Sequence, residues 1–423
     1  MHPLTTISTA VGLVGLSTAL LINQATANTP ADSLAQKILA IDAQPKNTIS
    51  ERSKDNTLLT SVGLEANQQA AANMADTVSP VTNAEADENI SPTTTIGRVA
   101  ASPEQQLANS RKSAQLLNKF LPIIPYQTEN LPAIAQQVNT ASWKKGENID
   151  RIIGTKLQAL LNWHQHGVGA VDGYWGKNTR KAMQAFQQVQ GLPVTQSLNE
   201  ATWNALNKNS TLSTRPVLVN YTLTDNDVNI KTTTIPSTAV EKSKLEGMYY
   251  ESVLEGLAEK FRMDESYLRA LNPKATFASG ESIIVYNPSR TNVANVSRVV
   301  ADKTNQTLYA YNDQNKLIAS YPTTVGSTVM PSPTGTHTIK VKVHEPNYTY
   351  TSPEGSKYIL PPGPNNPVGL VWIGLSEPSY GIHGSPDPAR ISRQASAGCV
   401  RLTNWDALTL LSTINDDATV EFI

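Results

Sequence analysis

The one cysteine of this 423-residue chain, Cys399, lies in the run Ser396-Ala397-Gly398-Cys399-Val400-Arg401. A single thiol forms no internal disulfide, which leaves three roles: buried filler, an intermolecular bridge, or a nucleophile. A thiol attacks a carbonyl at neutral pH when a base takes its proton or a positive neighbour stabilises the thiolate. His383 is the candidate base, because an unperturbed imidazole titrates near that range. It follows the apolar-aromatic stretch Tyr380-Gly381-Ile382 and precedes Gly384, which puts it at a strand end facing a loop. Gly398 lets the backbone turn sharply before the cysteine, and leaves the amides of Gly398 and Cys399 free to face a developing oxyanion. Ser396 has a hydroxyl to tie the turn, and Arg401 a guanidinium for the loop or for a substrate carboxylate. Tyr380 and Gly384 complete the expected supporting or substrate-binding set. The chemistry these residues spell is acyl transfer through a thioester. On residue types alone a second account stands beside it, in which Cys399 is a small core residue that never meets His383.

Positioning such a pair takes strands and tight turns, and the last third of the chain supplies both. From Val293 the apolar period is two: Val296 to Ala301, Thr307 to Tyr311, Lys316 to Thr323, Gly335 to Val343 and Val368 to Ile373 read as strands. Asn312-Asp313, Ser332-Pro333 and Pro361-Pro362-Gly363 separate them as turns. Asn404 reads as the N-cap of a closing helix, Trp405 to Ile414, with Asp406 in its first turn, where negative charge suits the helix dipole.

The full strings narrow the chemistry. Gly381-Ile382-His383-Gly384-Ser385, then Ser396-x-Gly398-Cys399-Val400-Arg401-Leu402, resemble the catalytic domain of L,D-transpeptidases. Tyr321-Pro322, Gly326, Pro333-Thr334-Gly335 and Asn366-Pro367-Val368-Gly369 match that family in the same order, so the resemblance spans Val293 to Ile423. It implies that Cys399 is the nucleophile, His383 the proton acceptor and donor, and Gly398 the oxyanion turn. Ser396 and Arg401 match motif positions of less defined role. Many members carry histidine where this chain has Ala397, so a second catalytic histidine is ruled out here. The resemblance further implies a peptidoglycan tetrapeptide stem as donor, an amine on a neighbouring stem as acceptor, no cofactor, and covalent inhibition by carbapenems.

Upstream, residues 148–208 read as three small helices. Leu157-Gln158, Asp172-Gly173-x-x-Gly176, Thr179, Phe186-Gln187, Gly191-Leu192-Pro193 and Thr202-Trp203 resemble a three-helix peptidoglycan-binding domain. Asn178 or Thr179 is the expected cap of its second helix, which Gly191 ends. His164 and His166 lie two apart with no third ligand nearby, so no metal site is expected. Residues 209–244 read as a polar, Thr-rich linker with strand-like stretches from Val217 to Val228. Residues 245–289, with two amphipathic helices, the ending Ala270-Leu271-Asn272-Pro273 and a strand at Ile283 to Tyr286, resemble a LysM-type glycan-binding module. Its first strand is expected near Met248-Tyr249-Tyr250, and a spacer without a ligand is the alternative.

Between Asn28 and Lys119 there is no Phe, Trp or Tyr, so residues 28–147 read as a largely disordered arm, with short helices at Ser33 to Ile41 and Glu104 to Phe120. Residues 1–27 read as a secretory signal: an apolar run from Val11 to Ile22, then Ala25-Thr26-Ala27 before a cleavage point. That predicts export to the periplasm or cell wall, with no stable membrane insertion after cleavage. Thirty-four basic against 35 acidic side chains, in no long blocks, argue against nucleic acid as a partner. The expected architecture is multidomain α+β: a three-helix unit, a LysM-like α/β module, and a mostly-β catalytic domain at 293–423. The expected activity is L,D-transpeptidation. An L,D-carboxypeptidase or hydrolase using the same pair, and a non-catalytic wall-binding protein, are the alternatives.

Overall fold

The computed structural model describes residues 102–289, 295–352 and 354–423. The expected signal 1–27 and the helix expected at Ser33 to Ile41 lie outside them. No helix among the described residues is long and apolar enough to cross a membrane.

Eight helices of seven or more residues frame the described chain: α1 (Pro103–Phe120), α2 (Ala133–Thr140), α3 (Arg151–Trp163), α4 (Lys177–Val189), α5 (Glu200–Asn207), α6 (Val253–Lys260), α7 (Glu265–Leu271) and α8 (Asn404–Thr413). The strands are β1 (Leu218–Thr222), β2 (Ser282–Tyr286), β3 (Val296–Asp302), β4 (Thr307–Tyr311), β5 (Leu317–Pro322), β6 (Gly335–His344), β7 (Tyr348–Thr351), β8 (Lys357–Leu360), β9 (Val371–Leu375), β10 (Gly381–His383), β11 (Val400–Arg401) and β12 (Ile414–Phe422).

The catalytic part is an eight-stranded sheet in the order β11-β10-β9-β6-β12-β3-β4-β5. The pairs β10–β11 and β12–β3 are parallel and the others antiparallel. Helix α8 is buried along its whole length and packs on this sheet, so Leu408, Leu410 and Leu411 join Val299, Ile373, Ile382 and Val400 in one core. Its cap is Thr403, not Asn404. Thr403 is extended (φ −62°, ψ 156°) and its hydroxyl accepts the Asp406 amide at 3.2 Å, which leaves the Asn404 side chain for other partners. The helix is followed by β12, an interior strand that the polar run Asn415-Asp416-Asp417 disguises in the sequence.

Two expectations about the upstream region are corrected. Residues 102–147 are not a disordered arm: α1 lays Leu117 and Phe120 against the catalytic core, and α2 buries Ile134, Ala135 and Val138 with α3. Nor is 209–244 a free linker. Strand β1 lies within it and pairs antiparallel with β2, from Leu218 opposite Tyr286 to Thr222 opposite Ser282. No strand forms at Met248-Tyr249-Tyr250, where only Tyr250 makes an isolated bridge, to Thr232. The physical reason is partner supply, since β2 needs a hydrogen-bonding neighbour and the apolar Val217–Tyr221 stretch fills it better. Helices α2 to α5 and the β1-α6-α7-β2 unit then share one apolar core, from Ile134 through Leu160 and Phe186 to Tyr267 and Tyr286.

Within the three-helix unit the cap of α4 is Gly176, with no side-chain bond, rather than Asn178 or Thr179. The Thr179 hydroxyl instead accepts Gln158 Nε2 at 3.1 Å, and the Gln158 carbonyl accepts the Asp172 and Gly173 amides. Gly191, at φ +66°, ends the helix as expected. This unit also covers the open edge of the catalytic sheet. Gly167 N–H donates to Ser320 O at 2.8 Å, Ser320 N–H to Gln165 O at 3.0 Å, and the buried His166 ring bonds Ser320 Oγ at 2.9 Å. An edge strand left bare would be a template for aggregation, and here β5 is paired.

Candidate active site

His383 ends β10 and Cys399 immediately precedes β11. These strands run parallel, with Ile382 opposite Val400 and His383 opposite Arg401. Continuing that register sets Cys399 level with Gly381, two residues before His383 and on the same face. Cys399 itself stands in the bend just before the paired residues, and among the described residues its sulfur bonds the Ser379 carbonyl and not the His383 ring.

Each ring nitrogen has a distinct situation. Nδ1 of His383 lies 2.7 Å from the Gly384 carbonyl, which fixes Nδ1 as the protonated nitrogen and leaves Nε2 a lone-pair acceptor. Trp372 on β9 stacks on the ring, centroids 5.8 Å apart and 28° from parallel. His383 is buried, and desolvation, with the Arg401 charge beside it, pushes its pKa down to about 3. Cys399 keeps partial exposure. Burial of its sulfur pushes the thiol pKa up, against the opposing pull of the Gly381 backbone and Arg401. Its proton is donated to the Ser379 carbonyl at 3.7 Å, so at rest the thiol is turned toward the Ser379–Gly381 bend.

The turn before the cysteine is built by two serines. Ser396, buried, donates its hydroxyl to the Cys399 carbonyl at 2.5 Å and accepts the Gly398 amide at 3.1 Å. Ser396 N–H in turn donates to Val325 O at 2.8 Å, which anchors the turn to the segment after β5. Ser332 donates to the Gly398 carbonyl at 2.7 Å. Gly398 sits at φ +109°, and a Cβ there would fall 2.5 Å from Tyr380 Cε1. The position therefore demands glycine for both conformation and space. One expectation is corrected: the Gly398 amide is not free for an oxyanion, because Ser396 Oγ holds it.

Arg401 is pinned by its backbone, exchanging hydrogen bonds with Thr324 at 2.8 and 3.0 Å. Its charge acts on Cys399, His383 and Tyr348, while Nε has no partner among the described residues. Tyr348 opens the β7–β8 hairpin, and burial pushes its hydroxyl well above the usual tyrosine range. The Gly384 amide donates to Val371 O at 3.2 Å, tying the His383 loop to β9. Sequence reasoning thus named His383, Gly384, Ser396, Gly398, Cys399, Arg401 and Tyr380, and the structure places them within and at either end of the short paired strands β10 and β11. It missed Trp372, Ser332, Ser379 and Tyr348, whose relevance is set by sheet order and not by any local pattern.

Comparison with known proteins agrees with this arrangement. Residues 297–422 match the family described as the L,D-transpeptidase catalytic domain, and residues 155–206 match a putative peptidoglycan binding domain. A putative L,D-transpeptidase YkuD of Bacillus licheniformis is 30% identical over 165 residues, covering 38% of this chain and 87% of the relative. The probable L,D-transpeptidase YbiS of Escherichia coli is 26% identical over 183 residues, covering 40% of this chain and 60% of that protein. The solved catalytic domain of an E. faecium L,D-transpeptidase aligns at 21% identity and a TM-score of 0.24, covering 30% of this chain and 96% of that one. By the catalytic-domain match and the extent of the YkuD relative it spans, the chain belongs to the L,D-transpeptidase family.

Proposed function

We propose that the protein is a cysteine-dependent L,D-transpeptidase that works on peptidoglycan tetrapeptide stems, exported to the periplasm or wall and held there by its upstream units. The observation that supports the mechanism is the Nδ1–H bond of His383 to Gly384, which leaves Nε2 as the acceptor nitrogen on the strand that neighbours the one Cys399 leads into. In the acylation step Sγ attacks the carbonyl that precedes the terminal D-Ala, and Nε2 takes the thiol proton. The Cys399 amide, not that of Gly398, is the backbone donor left for the oxyanion. Collapse of the intermediate breaks the amide bond, and Nε2 returns the proton to the departing amine. An amine of a second stem then attacks the thioester, losing its proton to Nε2, which restores the thiol. Burial of His383 keeps it neutral, hence a base, across the physiological range.

The β1-α6-α7-β2 order favours a LysM-like glycan-binding unit whose first strand is Leu218–Thr222. Carbapenems, which offer a strained carbonyl to the same thiol, are the expected covalent inhibitors.

The test incubates the full chain with a disaccharide-tetrapeptide and reads products by mass spectrometry. A cross-linked dimer, absent with Cys399→Ala, is the expected result. Bare tripeptide alone would replace transferase with carboxypeptidase, and no Cys399-dependent product would remove the enzymatic reading altogether.

A further inference from the structure

At the start of α8, a side chain from the upstream unit reaches the C-terminal domain. Glu259 stands in the last turn of α6. Asn404 Nδ2 donates to its Oε1 at 3.0 Å and its Oε2 at 3.3 Å, and also to Pro364 O at 3.2 Å. Tyr250 OH donates to Oε2 at 3.1 Å. Asn404 is 1% exposed, so its amide has no water to turn toward. With both acceptors on the nitrogen side, Oδ1 must face the opposite way, where it accepts the Leu370 amide at 3.1 Å. That same oxygen lies 2.3 Å from where a Cβ on Gly384 would stand, and 2.0 Å from one on Gly369. Asn404 Oδ1 therefore fills the space beside the Gly384 Cα, and the carbonyl of that glycine receives Nδ1–H of His383 at 2.7 Å. The connection runs Glu259, Asn404, Gly384, His383, each link a named contact.

We propose that Glu259 is a positioning residue for His383: from outside the catalytic domain it fixes the orientation of the Asn404 amide, and through Gly384 the tautomer and tilt of the imidazole. The inference rests on the base role given to His383 above. Its consequence is that the β1-α6-α7-β2 unit is part of the catalytic machinery as well as a tether to the wall. Other contacts make the same junction rigid. Met248 N–H donates to Pro362 O at 2.9 Å, Asn365 N–H to Met248 O at 3.0 Å, and Asn365 Nδ2 to Glu255 Oε1 at 2.8 Å.

Burial pushes the Glu259 carboxyl up to about 7, against the pull of its Asn404 and Tyr250 hydrogen bonds, with Glu255 adding to the rise. Lys260 and Arg262 line the same roughly 280 Å³ cavity beside it. A carboxylate accepts from an amide more strongly than a carboxylic acid does, so the clamp tightens as Glu259 ionises.

The test compares the parent with Glu259→Gln, which keeps shape and removes charge, and with Tyr250→Phe, which loosens the same carboxylate while leaving it in place. Cys399 acylation by imipenem is followed by mass spectrometry to separate initial binding from the acylation rate constant. Alkylation by iodoacetamide, which needs no transpeptidase substrate, is followed across pH on the chain's one thiol. Loss of a hydrogen bond to a charged group predicts about a tenfold lower acylation rate constant for Glu259→Gln, with initial binding unchanged and the inflection near pH 7 abolished. Tyr250→Phe should lower the same constant by a smaller factor. An unchanged rate constant and pH profile in folded Glu259→Gln, or a change in binding alone, overturns the inference. If Glu259→Gln does not fold, an unaltered rate constant in Tyr250→Phe overturns it instead. A parent that imipenem fails to acylate sinks the transpeptidase reading, and the iodoacetamide profile then still decides whether Glu259 acts on the thiol–imidazole pair.

Discussion

Replacing Ser396 by alanine is the sharpest probe of how the nucleophile is held. The hydroxyl is 3% exposed and makes two bonds, donating to the Cys399 carbonyl at 2.5 Å and accepting from the Gly398 amide at 3.1 Å. Alanine leaves both backbone groups in place without partners. Each buried group so stranded costs about 1–3 kcal/mol, and partial relaxation of the turn toward solvent favours the low end, about 2–3 kcal/mol in all. At about 1.4 kcal/mol per decade, that strain, if it falls on the turn, lowers the acylation rate about thirtyfold to a little over a hundredfold. The assay pairs urea unfolding with single-turnover acylation of Cys399 by imipenem. Ser332→Ala is the useful comparison, because Ser332 donates to the Gly398 carbonyl at 2.7 Å and so holds the peptide plane that carries the Cys399 amide. It should cost comparable stability and also lower the rate. Ser396→Ala protein that acylates within twofold of the parent would show that the turn keeps its shape without the hydroxyl, and the reasoning about the motif serine would be wrong.

Gly398→Ala should fare worse than Ser396→Ala, since φ +109° is strained by about 1–2 kcal/mol for an L-residue, and the new Cβ meets Tyr380 Cε1 at 2.5 Å. Adding Tyr380→Ala removes the collision but not the strain, so acylation kinetics should recover only in part. Thr403→Ala deletes the cap of α8 and should cost about 1 kcal/mol in urea unfolding, a value near zero pointing to a different cap. His166, held near pKa 3 by burial, stays neutral in the folded protein while its unfolded counterpart protonates near 6.5. The unfolded state then binds more protons, so stability falls as pH drops through that window. His166→Phe should flatten the dependence of unfolding free energy on pH between 6.5 and 3, leaving the similar contribution of His383. Glu259 and Asp406, raised to about 7 and about 6, act with the opposite sign and weaken the fold as pH rises toward those values.

The catalytic strings were legible because chemistry limits the residue types that a thiol nucleophile tolerates beside it, and because glycine at position 398 has no substitute. The strands from Val296 to Tyr311 were legible by their period of two. What escaped was anything fixed by long-range pairing. Strand β1 showed only as a strand-like stretch inside a linker, because nothing local says that it is the partner of β2. Strand β12 was lost in an acidic turn, although it is an interior strand of the sheet. Helix α1 was expected from Glu104 to Phe120 and forms over Pro103–Phe120, but composition left it in a disordered arm and not docked on another element. The catalytic helix α8 supplies the docking surface that orders it, and no local signal records that surface.

The ionisation states bear on how such a site works. Desolvation pushes the imidazole pKa down and the thiol pKa up, so a resting thiolate–imidazolium pair is disfavoured from both sides. The thiol instead donates to the Ser379 carbonyl, and the Nδ1–H bond to Gly384 leaves Nε2 as the acceptor nitrogen of the proposed base. Proton transfer must then accompany attack, with the developing oxyanion and the fixed charge of Arg401 providing the stabilisation that the resting pair lacks. A neutral thiol also resists oxidation, which follows thiolate character. For a partly exposed cysteine, keeping the pair neutral until an acyl donor arrives serves selectivity, and under the export proposed above it would serve survival as well. It also makes the orientation of His383 the controlling variable, since an imidazole that is not already ionised must be aimed correctly before any chemistry starts.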